Sequence, residues 1–134
     1  MITYSIFDSD DVEKTLEFAK QEFKFQRQVG NSSLRDQLNS VWRQTGVKPK
    51  ELDDLIELPK STKHVWDIFI LLDSVRSTDF GNPNPINFTE IQSYSNLSGI
   101  EFESWEIELI MALDRLKLNQ VRKEMQDQQS KGKK

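Results

Sequence analysis

Apolar positions recur at the helical period near the start of the chain. After Asp8 or Ser9, either of which can cap a helix, one stripe is spaced i, i+4, i+7 and i+11: Val12, Leu16, Ala19 and Phe23. The stripe predicts a helix with one buried face. Phe18 and Phe25 lie off this face, so the helix either reaches a second partner or packs on two sides. Before it, residues 1–7 alternate weakly and indicate a short strand or an extended arm.

A second amphipathic segment has apolar residues at i, i+4, i+7 and i+8: Leu34, Leu38, Val41 and Trp42. It predicts a helix that Ser32 or Ser33 caps and Gly46 ends. The tryptophan falls on the apolar band, so we expect it in the core. Pro49 then suits the first turn of a short helix running to about Leu55.

Residues 62–76 are the most apolar segment of the chain. Apolar side chains lie nearly all round the helix that they predict: Val65, Trp66, Ile68, Phe69, Ile70, Leu71, Leu72 and Val75. Such a helix is normally covered on several sides, so we expect it at the centre of the fold. It contains Asp67 and is far shorter than the roughly 20 apolar residues of a membrane span. Residues 77–85 read as a loop rich in glycine and proline.

A helical hairpin follows this loop. Asn87 should cap its first helix in a capping box with Glu90, and Gly99 should end that helix in a left-handed conformation. The apolar residues of the first helix are spaced by three, and we expect them on one face: Phe88, Ile91, Tyr94 and Leu97. The second helix should begin near Glu103 or Ser104. Its apolar band comprises Trp105, Leu109, Ile110, Ala112, Leu113 and Leu116.

These elements predict an all-α fold, a small single-domain bundle of five to six helices over residues 1–118. We expect six residues to carry its structure: Trp66, Phe69, Gly99, Trp105, Leu109 and Leu113. Beyond Leu118 the apolar stripe thins, so residues 119–134 should form a frayed or disordered tail. From Lys117 onward there are six cations and two anions, which makes this tail basic.

Composition and charge argue against most chemistries. The 134 residues carry a net charge of −4, whereas a DNA-binding domain would show a basic face, so we expect no nucleic-acid partner. Cysteine is absent, and the acidic N-terminus does not read as a signal peptide. We therefore expect neither a membrane nor a disulfide.

The candidate catalytic and metal-ligating residues have simpler roles. His64 is the single histidine and lies at a predicted helix start, where a surface or capping role is expected. Asp8, Asp10 and Asp11 suit a helix N-terminus better than a cation loop. The acidic residues of the hairpin are expected on solvated faces: Glu101, Glu103, Glu106, Glu108 and Asp114. The three tryptophans, Trp42, Trp66 and Trp105, are expected in the core. We expect no enzyme, catalytic residue, cofactor or metal site.

Two stretches between residues 40 and 118 contain motifs of a known family. The first is the segment SVWRQTGVKP, with Arg43, Gln44, Thr45, Gly46 and Pro49. The second is a longer block that matches in order and in its Trp-Glu to Leu-Asp spacing. Its positions are Trp66, Phe69, Arg76, Phe80, Gly81, Pro85, Ile86, Glu90, Ile91, Leu97, Gly99, Trp105, Glu106, Ile110, Leu113 and Asp114. On these motifs, residues 40–118 resemble the tail assembly chaperone family of long-tailed bacteriophages.

The resemblance implies a non-enzymatic role in the host cytoplasm. Proteins of this family bind the long tape-measure protein and keep it soluble until tail tube subunits polymerise around it, so both proteins are expected partners. A homo-oligomer is compatible with this role. Two alternatives are a structural virion component, such as a head–tail or tail-terminator protein, and a small phage regulator that binds a host protein. Our sequence-based choice of partner-binding residues is in the tail: Val121, Met125, Lys131, Lys133 and Lys134.

Overall fold

The computed structural model describes the backbone of residues 9–132 and the side chains of residues 10–129, so the strand or arm expected at residues 1–7 lies outside the described residues. The described chain is mostly helical. Its α-helices are α1 (Ser9–Phe25), α2 (Leu34–Thr45), α3 (Lys63–Ser74), α4 (Phe88–Ser98) and α5 (Ser104–Gly132). Its strands are β1 (Gln28–Val29), β2 (Ser32–Ser33), β3 (Thr78–Asp79) and β4 (Asn82–Pro83). Two 3₁₀ turns are formed by Lys50–Leu52 and Lys60–Thr62.

The core lies where α1, α3 and α5 meet. Phe23 of α1 lies between Trp66 and Phe69 of α3, with ring centroids 5.7 and 5.9 Å away. The buried core residues come from these three helices, from the segment before α4, and from α4 itself: Ala19, Phe23, Val65, Trp66, Ile68, Phe69, Leu72, Ile86, Ile91, Trp105, Leu109, Ile110 and Leu113. The stripe predicted for the first helix thus faces the centre, where burial of apolar area is the main stabilising term.

Helix α1 packs on two sides. Phe18 meets the ring of Trp66 edge-on, with centroids 5.1 Å apart. Phe25 is buried on the other side, where the guanidinium of Arg35 lies 5.0 Å from its ring centroid. Of the two arrangements left open by the sequence, the structure therefore has the second, with α1 packed against both α3 and the start of α2.

Helix α3 is covered on only part of its circumference. Its inward face packs on α1 and α5, but Ile70 and Leu71 are 38% and 47% exposed, and Val75 at its end is 71% exposed. The helix is thus covered on several sides, as expected, but these three apolar residues remain open to solvent. A 12-residue helix in a small domain meets too few neighbours to hide every side.

Helix α4 also presents a narrower buried face than its three-residue spacing suggested. Ile91 is buried and Tyr94 half-buried, whereas Phe88 and Leu97 are exposed. Each step of three residues falls about 60° short of a full turn, so three such steps rotate the side chain by about 180°. Phe88 and Leu97 therefore cannot share one face with each other.

Backbone capping fixes the corner between α4 and α5. The Asn87 side chain accepts from the Glu90 N–H at 2.9 Å, and the Asn87 N–H donates to Glu90 Oε1 at 3.3 Å, which confirms the predicted capping box. Gly99 has φ +77°, the left-handed conformation in which a Cβ would be strained. Helix α5 then continues without a break past Leu118 to Gly132, so the segment expected to fray has a helical backbone.

Two β-hairpins are present that the sequence pattern did not predict. In the first, Gln28 pairs with Ser33 and Val29 with Ser32; in the second, Thr78 pairs with Pro83 and Asp79 with Asn82. Each hairpin has only two residues per strand, too few for an alternating pattern to be recognisable. The helix expected from Pro49 to about Leu55 is a single 3₁₀ turn, Lys50–Leu52, whose Leu52 is buried.

Candidate partner-binding surface

The first half of α2 is fixed to the rest of the protein by polar contacts. Arg35 donates from both terminal nitrogens to the Glu22 carboxylate, at 2.9 and 2.8 Å. Gln37 donates to the carbonyl of Val29 at 2.9 Å and to the Ser32 hydroxyl. The Ser33 hydroxyl caps the helix by accepting from the Asp36 N–H. These contacts hold the helix at its base against α1 and the first hairpin.

The second half of α2 is open to solvent. Val41 is 47% exposed, Trp42 is 41% exposed, and Val47 just beyond the helix is 68% exposed. Helix α2 contains no buried residue. The expectation that Trp42 lies in the core was therefore wrong. Its stripe has the helical period of a buried face, but the described chain supplies no element to cover it.

The end of α2 is nevertheless well defined. Gly46 ends the helix at φ +72°, and its N–H donates to the Trp42 carbonyl. The Thr45 hydroxyl donates to the Val41 carbonyl at 2.7 Å and accepts from the Val47 N–H at 3.2 Å. The Lys48 ammonium lies 5.2 Å from the Trp42 ring centroid, a cation–π distance. The exposed apolar residues are thus held in place by local bonds.

Basic side chains surround these apolar residues. Residues 40–50 contain Arg43, Lys48 and Lys50 and no acid, so the net charge of −4 leaves −7 for the rest of the chain. All three cations are exposed. Lys48 lies 3.5 Å from Asp53, whereas among the described side chains Arg43 and Lys50 form no ion pair. We call the surface formed by Val41, Trp42, Val47 and these three cations the α2 platform.

A second exposed aromatic lies at the turn of the β3–β4 hairpin. Phe80 is fully exposed and has φ +53°, and Gly81 beside it has φ +81°. Positive φ at both central residues is the geometry of a type I′ turn, which favours Asn-Gly over Phe-Gly. A bulky residue in this conformation is strained. The backbone at Phe80 is therefore strained, and because its side chain is exposed, no burial of apolar area offsets this strain.

The base of this hairpin is fixed by a buried polar network. The Arg76 guanidinium donates to Asp114 Oδ1 at 2.5 Å, to Asp73 at 2.9 Å and to the Asn84 carbonyl at 2.7 Å. The other oxygen of Asp114 accepts from the Ile86 N–H at 2.9 Å. Burial opposes the charge on Arg76, but the hydrogen bonds to Asp114 and Asp73 outweigh it and raise the Arg76 pKa.

Two acids expected on solvated faces are buried instead. Asp114 is 3% exposed because it binds both Arg76 and the chain before α4. Glu106 is 9% exposed because it accepts from the Glu103 N–H at 2.8 Å, which caps α5, and contacts His64 Nε2 at 2.6 Å. His64 itself is about half-exposed. Glu106 thus caps the start of α5, and Asp114 fixes Arg76 and the chain before α4.

The structure places the tail residues on α5. Val121 and Met125 are half-buried on that helix, while the Lys131 side chain, Lys133 and Lys134 lie outside the described residues. The residues expected to carry the structure lie elsewhere. Trp66, Phe69, Trp105, Leu109 and Leu113 are buried in the core, and Gly99 forms the α4–α5 corner.

The described residues give no group of three or more acidic or histidine side chains arranged to hold a metal ion. Among the helices of that same part of the chain, none has the length and apolar character needed to cross a bilayer.

Sequence reasoning missed the α2 platform, Phe80 and the buried carboxylates. A signal existed for the platform, since residues 40–50 contain three cations and no acid beside the apolar residues Val41, Trp42 and Val47. The signal for Glu106 was incomplete, because Glu103 is not a usual N-cap residue and only the hydrogen bond from the Glu103 N–H to the Glu106 carboxylate is formed. No pattern marks Asp114, whose partner Arg76 is 38 residues away.

Comparison with family models gives one result. A family model described as phage tail assembly chaperone matches residues 41–119, which is more than half of the chain. The match begins within the α2 platform and runs through α3, α4 and the first half of α5. Comparison with curated proteins and with solved structures gives no match. Helix α1 lies outside the matched residues although it supplies part of the core.

Proposed function

The chain belongs to the phage tail assembly chaperone family, and we propose on this basis that it binds the tape-measure protein and keeps it soluble until the tail tube forms. The role is non-enzymatic and is carried out in the host cytoplasm. Release would occur as tail tube subunits polymerise around the tape-measure protein.

The observation that supports this proposal most is the exposure of large apolar side chains within the family-matched residues. Nine of them are at least 40% exposed: Val41, Trp42, Val47, Leu55, Leu71, Val75, Phe80, Phe88 and Leu97. Three of these, Val41, Trp42 and Val47, form the apolar part of the α2 platform. Isolated exposed apolar residues are ordinary, but a grouped set on a rigid support favours protein binding. A long helical tape-measure protein would present apolar stripes that such side chains can cover reversibly.

Two experiments on infected cells test the proposal. Immunoprecipitation of the chain during assembly should recover the tape-measure protein as an identified partner. Mass spectrometry of purified virions should find the tape-measure protein and lack this chain. Stoichiometric recovery of the chain from virions would instead favour the structural-component alternative, and recovery of a host protein without the tape-measure protein would favour the regulator.

The tail residues remain a second proposed contact within the same function. Val121 and Met125 lie half-buried on α5, and the basic end of the chain follows them. In this proposal residues 119–134 dock on the partner, with the lysines adding electrostatic attraction.

A further inference from the structure

We infer that the α2 platform is the docking site for one kind of partner, an amphipathic helix whose apolar stripe is flanked by carboxylates. The inference rests on the proposed function, because it takes the tape-measure protein as the source of that helix. It adds which surface of this chain binds and which charges the bound segment must carry.

The shape of the platform favours a helix as its occupant. The apolar residues of α2 have the spacing of a face that packs on another helix. In the last turn of α2, however, Val41 and Trp42 are exposed to solvent. The side-chain hydrogen bonds and ion pairs of the described residues 38–50 stay within residues 38–53. A helix lying across this stripe would complete the packing that the chain itself leaves unfinished.

The charge of the platform selects the chemistry of that helix. Arg43, Lys48 and Lys50 flank the apolar residues, and the acids nearest in sequence are Asp36, Glu51 and Asp53, of which Asp53 pairs with Lys48. The platform contributes +3 and the segment from Lys117 onward +4, so the net charge of −4 leaves −11 for the rest of the chain. A segment rich in carboxylates is attracted to the platform and repelled by that acidic remainder, and such complementarity gives both orientation and specificity. The overall negative charge argues against nucleic acid as the occupant.

The test uses the full chain and purified helical fragments of the tape-measure protein encoded by the same phage. One variant reverses the platform charges, R43E/K48E/K50E. A matched control reverses three exposed lysines on the acidic part of the surface, K14E/K20E/K60E, with the same change in net charge. A third variant is Trp42→Ala, with Leu97→Ala, 89% exposed on α4, as its control. Circular dichroism establishes that each variant is folded.

Charge reversal at the platform should raise the Kd by roughly tenfold or more at low salt, with a smaller effect at high salt, because exposed charges are screened. Trp42→Ala should raise the Kd by about thirtyfold, the size typical of an aromatic hot spot, with little dependence on salt. Both control variants should bind like the parent.

Four results would overturn the inference. Unchanged binding by both platform variants, while the parent still binds, would reject the platform and leave the proposed function standing. Tighter binding after charge reversal would mean a basic partner. Loss of the complex on nuclease treatment would identify nucleic acid, and a change of the chain's own oligomeric state in Trp42→Ala would identify a second copy. Absence of binding by the parent itself would instead count against the proposed function.

Discussion

The guanidinium of Arg76 and the carboxylate of Asp114 meet in the protein interior, with Nη2 and Oδ1 2.5 Å apart and both side chains at most 6% exposed. The pair joins the end of α3 to the middle of α5. Since Asp114 also accepts from the Ile86 N–H, it sets the path of the chain into α4. One carboxylate thereby positions three parts of the family-matched segment.

Removing the charge of Asp114 should therefore lower the stability of the fold. Asp114→Asn keeps the size and an acceptor for Ile86 but leaves the buried Arg76 with only Asp73 as counter-charge. We expect a loss of about 3–5 kcal/mol in the free energy of unfolding, as for breaking other buried pairs. Urea denaturation at neutral pH measures it.

Asp67→Asn is the matched control for this substitution. Asp67 pairs with Lys63 at 2.8 Å, but its side chain is 58% exposed, so the change should stay below about 1 kcal/mol. Equal effects of the two substitutions would show that the Arg76–Asp114 pair is not what holds the end of α3.

The two tryptophans in unlike surroundings give a second prediction. Trp66 is 9% exposed and contacts the rings of Phe18, Phe23 and Phe69. Trp66→Ala should cost about 3–5 kcal/mol, as for other large-to-small core changes. Trp42→Ala should cost less than about 1 kcal/mol, because Trp42 is 41% exposed and lies outside the core cluster. A thermal melt of Trp66→Ala that matched the parent would refute the placement of α3.

Replacing Phe80 should not destabilise the protein, unlike replacing Trp66. Phe80→Asn places at this turn position a residue that tolerates positive φ, and no buried contact is lost. Stability should stay the same or rise by up to about 1 kcal/mol. A drop in the melting temperature of several degrees would mean that Phe80 makes stabilising contacts in the free protein.

Acid should weaken the contact that holds the base of α2. Hydrogen bonds from Arg35 lower the pKa of Glu22 despite its partial burial. A carboxylate with a lowered pKa contributes stability above its unfolded pKa of about 4.3, and this contribution is lost as pH falls through the lower folded value. Arg35→Gln should therefore be less stable than the parent at pH 7, by at most about 1 kcal/mol because Arg35 is 41% exposed.

The pH dependence of this stability difference tests whether Arg35 acts through the Glu22 carboxylate. The stability difference between the parent and Arg35→Gln should shrink as pH falls below the unfolded pKa of about 4.3, and it should be lost once pH passes the lower folded pKa of Glu22 in the parent. Denaturation midpoints measured at intervals from neutral to acidic pH give this curve. A difference that stays constant down to the lowest pH would show that Arg35 acts through its contact with Phe25 and not through Glu22.

Deleting residues 119–134 tests the proposed boundary of the folded domain. The core ends with Leu113 and Leu118 on α5, so the shortened chain should keep its helical signal and unfold cooperatively. If the tail also docks, the shortened chain should bind the tape-measure protein more weakly, most clearly at low salt. Loss of cooperative unfolding would place the domain boundary beyond Leu118.

Local patterns predicted the helices well where one face was fully buried. The stripe from Val12 to Phe23 and the band from Trp105 to Leu113 both have periods that follow the helix closely, and both face the core. The cap at Asn87 was predictable because every residue that it needs lies within four positions.

Features that depend on distant contacts were not predictable in this way. Trp42 has the same spacing as a core residue, and only the absence of a covering element exposes it. Asp114 reads as one acid among many until Arg76 is brought to it through the fold. The α2 platform was missed for the first reason, since an apolar stripe indicates burial against something without showing whether that partner belongs to the same chain.

Co-expression of the chain with the full tape-measure protein shows whether the chain keeps that protein soluble. The measured quantity is the fraction of tape-measure protein that stays in the supernatant after high-speed centrifugation, with and without the chain. We expect the tape-measure protein to be mostly insoluble when expressed alone. With the chain it should be mostly soluble and should co-elute with the chain on gel filtration. A tape-measure protein that is equally insoluble in both cases, while the chain itself is soluble and folded, would contradict the proposed function.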